Sequence, residues 1–428
     1  MTPPDPGARR IGTTETDEAR NRSFGIGLVE DVYPVYAELR EQGPACPGSI
    51  AGHFPVPAPA AASGVTAAVY SHELASQLLK DHEAYSSHFY AILDRAIGPS
   101  LIGMDEPDHR RMRALLQGAF SKNEMAWWAT DIIQPVVDEH LGAIAHRGYG
   151  DLYGEVGAKV PIHTTVAVLG LDESDRQWFF DQAVLMTTNS AGGEAAVAEA
   201  AAAISDYIAP LVAERRRSPG RDLISVLTAA RVSAADSAQG VDARPLTDQE
   251  INTFVRLLVI AGASTTFRAY ANMMFALLTH PDQFQRIVAD MSLGDAAVEE
   301  SLRWEQPLSS LARLATRDIT LGGLQVRAGE TVEACIGSAN HDPAQWPDPD
   351  RFDISRPRVD RHLTFGWGVH RCLGVHLART ELRILLDRTI ELLPGLRLDP
   401  AYPVPAVSGL GFRVASPLHV LFTPRSER

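Results

Sequence analysis

The chain has 428 residues, 45% apolar and 21% charged, the composition of a globular protein long enough to bury a large core without disulfides or metal staples. Lys and Arg number 39 against 53 Asp and Glu, a net charge of −14, which argues against nucleic-acid binding. Three cysteines (Cys46, Cys335 and Cys372) make no disulfide framework and suit a reducing cytoplasm.

Residues 1–22 are polar, with no apolar signal-peptide core, and read as a tail ahead of one domain spanning 23–428. Residues 31–41 read as an amphipathic helix. From Gly43 to His72 the chain is uncharged, but Pro44, Pro47, Pro55, Pro57 and Pro59 make it loop rather than membrane span. A strand is expected over 64–70 and helices over 71–82, 108–120, 124–146 and 175–186. A break at 189–193 precedes an Ala-rich helix over 194–217, ended by Pro219-Gly220.

The next helix is the most informative. Thr247 with Glu250 three residues on matches a capping box, and Pro281 ends the pattern at His280. At 1.5 Å per residue it spans about 48 Å. Its centre, Leu257 to Phe267, is uncharged between Arg256 and Arg268, too short for a membrane and suited to crossing the inside of a large domain. After Pro307, short hairpins are expected over 319–326 and 331–336, then a Pro- and Asp-rich loop over 342–358, a strong helix over 373–393 and a hairpin over 408–422. The fold class is mainly α with small β-sheets (α+β).

One segment carries chemistry: Phe365-Gly366-Trp367-Gly368-Val369-His370-Arg371-Cys372-Leu373-Gly374. Glycines permit tight turns and close approach to a flat ligand. Cys372 stands just before a helix, whose N–H groups and dipole favour a thiolate. No second cysteine lies at zinc-finger spacing, so zinc is a poor fit. A single thiolate is a good axial ligand for haem iron, as in cytochromes P450. The plain alternative is a structural cysteine in a tight turn.

With this loop the sequence resembles a soluble bacterial cytochrome P450 from about Val32 to Phe422. The resemblance implies the cytochrome P450 fold, with the long helix over a haem b and the cysteine loop opposite. Glu300 and Arg303 match its structural E-x-x-R pair, with Arg351 or Arg356 as the third partner. His109 and Arg113, four apart on one helical face, match propionate ligands, as do Arg313 and His370. Phe365, Gly366 and Ala261 would touch the cofactor. Asn340-His341-Asp342-Pro343 and Phe352-Asp353 match scaffold segments.

In the family the long helix places small residues, then an acid and a threonine, beside the oxygen site. Here the run is Ala261-Gly262-Ala263-Ser264-Thr265-Thr266. Thr265 matches the threonine, whose hydroxyl would donate toward dioxygen and order water. Its plain alternative is a bond back to its own helix. Ser264 stands where the acid is expected. Either Ser264 with water suffices, or a polar substrate group completes proton delivery, or the oxidant differs.

The resemblance also implies substrate contacts from Leu257, Ile260, Ser309, Leu311 and Leu410, and from Phe89, Tyr90 and Ile92 of a mobile loop over 89–101. Each of these residues has plain core packing as its alternative. A mostly apolar pocket implies a lipophilic or aromatic small-molecule substrate. Electrons are expected from NAD(P)H through ferredoxin reductase and ferredoxin, with Arg110, Arg111, Arg371 and Arg379 facing the ferredoxin. Neither nucleic acid nor membrane is expected as a partner. Two other readings stand beside the dioxygen-activating monooxygenase: a peroxide-driven or radical-coupling oxidase on the same fold, and a non-catalytic haem-thiolate binder or sensor.

Overall fold

A computed structural model describes residues 28–56, 64–187, 193–238 and 240–425. The expected tail at 1–22 and positions 189–192 of the expected break lie outside the described residues. Helices dominate: α1 (Tyr33–Gln42), α2 (His72–Lys80), α3 (Asp108–Gln117), α4 (Lys122–Trp128), α5 (Gln134–Ala145), α6 (Val160–Val168), α7 (Arg176–Thr187), α8 (Gly193–Arg217), α9 (Leu223–Ala229), α10 (Asp248–Thr279), α11 (Pro281–Ala289), α12 (Gly294–Trp304) and α13 (Val375–Leu392).

Local chemistry sets most boundaries. Ser71 Oγ accepts the Leu74 N–H at the start of α2. Thr247 and Glu250 form the expected capping box on α10, and His280 closes its end. The expected helix over 124–146 is instead α4, a wide π turn at Ala129–Ile133, and α5. Pro135 has no N–H to continue the regular ladder, which accounts for the interruption. The expected helix over 108–120 tightens after Gln117 into a 3₁₀ turn, Gly118–Phe120.

The 32-residue α10 runs through the main core, buried by Ile251, Val255, Val259, Tyr270, Met274 and Leu277. Helices α6, α8, α12 and α13 pack around it. Of the described helices, α8 contains the one stretch (Ala195–Arg217) long and apolar enough to cross a membrane. It buries Ala200, Ala201, Ile204, Ile208 and Val212 on one face, the spacing of a helix lying on a core.

The strands are short: β1 (Ala45–Pro47), β2 (Val65–Val69), β3 (Tyr85–Ser86), β4 (Tyr149–Asp151), β5 (Ser310–Ala315), β6 (Ile319–Leu321), β7 (Leu324–Val326), β8 (Thr331–Cys335), β9 (Arg397–Leu398), β10 (Val407–Ser408), β11 (Val414–Ala415) and β12 (His419–Leu421). Five form a sheet in the order β1-β2-β8-β5-β3, parallel only between β2 and β8. Its register sets Arg313 opposite Val332. The expected hairpin over 319–326 is β6–β7. The expected hairpin over 408–422 is corrected: β10 pairs β11, whereas β12 leaves to pair β4 and β9. Pro417 has no N–H for the ladder and divides the two.

Candidate functional site

The cysteine loop is two successive chain reversals leading into α13. Gly366 N–H donates to Leu363 O at 2.8 Å, Arg371 N–H to Gly368 O at 3.1 Å, and Cys372 N–H to Phe365 O at 2.8 Å. Gly368 has φ +74, and a Cβ there would stand 2.5 Å from Leu79 O at the end of α2, so only glycine fits. Cys372 is exposed at its surface yet lies deep in the protein, and that depth raises its thiol pKa above the usual value. The Gly374 N–H, Arg113, Arg371 and Arg379 lower it less. The expected thiolate stabilisation at the helix start is therefore present but outweighed by burial, so the anion needs a cation such as bound iron opposite it.

Four cationic or basic side chains converge beside this loop. His109 is 1% exposed, with Nδ1 3.3 Å from Glu106 Oε1 and a buried Nε2 that has no hydrogen-bond partner. Its ring centroid lies 4.0 Å from that of His370. Arg313 of β5 is 4% exposed, donates to Ala312 O at 2.8 Å, and stands over the Tyr90 ring. Tyr90 in turn accepts the Ala312 N–H at 3.1 Å. Among the described residues no ion pair joins Arg113 or Arg313 to a carboxylate. Burial lowers the pKa of His109, Arg113 and Arg313. Burial, then His109, Arg313, Arg113 and His82, depress His370 to about 2. Buried positive charge without countercharge is costly. With the orphaned His109 Nε2 it fits a group carrying two carboxylates, as haem does.

The scaffold behind the loop is fully paired. Arg303 Nε lies 2.7 Å from Glu300 Oε2, both side chains 0% exposed. Arg356, not Arg351, completes the cluster at 3.2 Å from Glu300 Oε1. Arg351 contributes its carbonyl, which accepts from Arg303 at 3.3 Å and Arg356 at 2.8 Å. Arg303 also donates to Asn340 O at 2.9 Å. The Asn340 amide accepts the Leu363 N–H at 2.8 Å and donates to Thr364 Oγ1 at 3.0 Å, which ties the cluster to the cysteine loop.

On α10, Thr265 Oγ1 donates to Ala261 O at 2.9 Å, the bond back to its own helix. Ala261 is exposed although it sits midway along a core helix, so its methyl group borders open space. Ser264 is buried, and its carbonyl accepts from the Arg268 guanidinium. Arg268 lies between the rings of Phe267 and Phe412, 4.4 and 4.6 Å from their centroids.

One group was missed in the sequence. Glu381 of α13 is 3% exposed, its Oε1 has no hydrogen-bond partner, and burial pushes its pKa up to about 8, opposed by the nearby Thr164 of α6, whose hydroxyl is likewise buried without a partner. The neighbouring Thr165 approaches α10: a Cβ on Gly262 would lie 3.9 Å from Thr165 Oγ1. The only sequence signal was its place nine positions after Cys372 among apolar helix residues.

The expected substrate contacts divide. Leu257 and Ile260 are half-buried against the main core, and Leu311 is half-buried against Gly366. The 89–101 segment forms a 3₁₀ turn, Ser87–Leu93, and a helical turn, Asp94–Ile97, with Phe89 edge-on to Tyr90 and Ile92 73% exposed. Ser309 and Leu410 are not brought to open space. Ser309 is 0% exposed, its N–H bonded to Gly411 O at 2.9 Å, and Leu410 packs with Val32, Tyr36 and Tyr70. Arg111 is likewise no surface contact: it is buried, 2.8 Å from Glu250 at the start of α10. Arg379 is bound by Glu299 at 2.6 Å. Arg110, Arg113 and Arg371 share a hollow of ≈ 810 Å³ with His109, Gly368 and Arg231.

Comparison with known proteins identifies the family and the fold. Residues 171–393 match the family described as Cytochrome P450. The chain is 33% identical over 405 residues to the cytochrome P450 monooxygenase PikC of Streptomyces venezuelae, covering 91% of each. It is 31% identical to a steroid C26-monooxygenase of Mycolicibacterium smegmatis, covering 84% of this chain and 88% of that one. The crystal structure of CYP109E1 from Bacillus megaterium with testosterone superposes with a TM-score of 0.80 at 27% identity, covering 92% of this chain and 99% of that one.

Proposed function

The chain belongs to the cytochrome P450 family of monooxygenases, and we propose that it oxidises a lipophilic small molecule in bacterial secondary or catabolic metabolism, with electrons from NAD(P)H delivered by a ferredoxin. The observation that carries the reading is Cys372, an exposed cysteine beside a cluster of buried and half-buried basic side chains, with α10 exposed at Ala261. The names of the relatives, a steroid monooxygenase and a testosterone complex among them, support a bulky apolar substrate.

Haem, when bound, supplies the electron-transfer and oxygen chemistry. Cys372 Sγ would ligate the iron, while His109 Nε2, Arg113, Arg313 and His370 would hold the propionates. Tyr90 keeps Arg313 aimed by bonding the strand beside it. Thr265 hydroxyl must release Ala261 O before it can donate elsewhere. Ser264 has no ionisable group, so protons must travel through water. Glu381, whose carboxyl pKa is pushed up to about 8 by burial, is one residue able to hold such a proton. The half-buried Leu257, Ile260 and Phe89 would exclude water and orient an apolar substrate.

Turnover of a panel of steroids and other lipophilic or aromatic compounds with ferredoxin, ferredoxin reductase, NAD(P)H and ¹⁸O₂ tests this. Label in the product and strict dependence on the reductase are expected. Product formed only with peroxide, or binding without turnover across the panel, would reject the proposed electron supply or substrate class.

A further inference from the structure

Away from the cysteine loop, His140 of α5 and His163 of α6 face one another. His140 Nε2 lies 2.8 Å from His163 Nδ1, with ring centroids 4.7 Å apart. His140 is 8% exposed and His163 half-buried. Glu139 stands exposed at the rim, and one oxygen of its carboxylate falls within 4.8 Å of a ring nitrogen of each histidine. None of the three belongs to the set that would hold haem.

We propose that Glu139, His140 and His163 form a binding site for one divalent first-row transition-metal ion of the Ni²⁺ or Zn²⁺ class. Two imidazole nitrogens and one carboxylate oxygen are the donors such ions take. At bond lengths of about 2.1 Å, nitrogens at right angles lie about 3.0 Å apart and tetrahedral ones about 3.4 Å. The observed 2.8 Å is a hydrogen-bond distance, so the two rings must separate slightly to admit either ion. The hydrogen between the rings need not be lost. It moves to the other nitrogen of its own ring, and both facing nitrogens then offer lone pairs. Solvent reaches the site from the Glu139 side, leaving further positions for water.

Arg176 opposes the ion. Its Nη1 lies 2.8 Å from Glu139 Oε2, and Lys159 adds a second nearby positive charge. A metal ion must share or take Glu139 from Arg176, so the site is tuned toward modest affinity. Once filled, it would tie α5 to α6, and α6 packs on the central helix α10.

The test is Ni²⁺ titration of the haem-loaded enzyme by calorimetry, with thermal unfolding in parallel. Wild type is expected to show one saturable site and a rise in Tm. His163→Ala should bind at least about tenfold more weakly and lose the rise. Glu139→Gln, at an exposed position that does not threaten folding, should weaken binding, and Arg176→Gln should tighten it several-fold. Equal stoichiometry and affinity in wild type and His163→Ala would assign the metal to other histidines and overturn the proposal. If His163→Ala does not fold, unchanged affinity in both Glu139→Gln and Arg176→Gln overturns it.

Discussion

Arg356 Nε lies 3.2 Å from Glu300 Oε1, on the carboxylate that Arg303 grips through both oxygens at 2.7 and 2.8 Å. One buried anion is thus shared by two cations, and the second comes from the Pro- and Asp-rich loop that precedes the cysteine segment. Removing one partner of a buried cluster strands the rest, at a cost of about 3–5 kcal/mol. Arg356→Ala should lose that much in urea unfolding and release haem at lower denaturant. Arg351→Ala should stay within about 0.5 kcal/mol, because its side chain is 66% exposed and its carbonyl remains. Equal losses in both variants would contradict the assignment.

Glu381 gives a pH signature. Its folded-state pKa of about 8 is raised from the ordinary carboxyl value of 4.5. Between those values the folded state binds the proton and the unfolded state does not, so the stabilisation is complete below the lower value and is lost as pH rises through the upper one. Wild-type stability should fall by up to about 1.4 kcal/mol per pH unit in that window, superimposed on the effects of other groups. Glu381→Gln, of equal shape and without a proton to lose, should remove this component. Parallel pH–stability curves for the two proteins would count against a protonated Glu381.

Ser264→Asp places an acid immediately before Thr265. Arg268 already reaches the Ser264 carbonyl from four residues on, so a carboxylate there would have a cation at helical reach. Product formed per NAD(P)H consumed should rise in Ser264→Asp. Unchanged or lower coupling there and in Ser264→Glu would show that proton supply is not what the serine limits.

Much of this was legible along the chain because the signals are local. The capping box at Thr247 and Glu250, the stop at Pro281 and the glycines flanking Cys372 each act within a few residues. What escaped depends on contacts distant in sequence. Arg111 reads as a surface cation, but Glu250 reaches it from 139 positions away. Arg351 and Arg356 are indistinguishable until the loop folds, with Asp348 and Arg358 at positive φ, and presents one side chain inward. Glu381 looks like one charge on an amphipathic helix until α6 covers it. Pro417, which divides the C-terminal strands, was visible, but the partner strand at Tyr149–Asp151 was not.

The central claim is that the Cys372 sulfur binds haem iron, and the ferrous–carbonyl absorbance spectrum tests it most directly. Wild-type protein reconstituted with haemin should show the red-shifted Soret band of a thiolate-ligated haem. Cys372→Ser should lose that band while still taking up haem through His109, Arg113, Arg313 and His370. A colourless wild-type protein, or the same band in Cys372→Ser, would contradict the account.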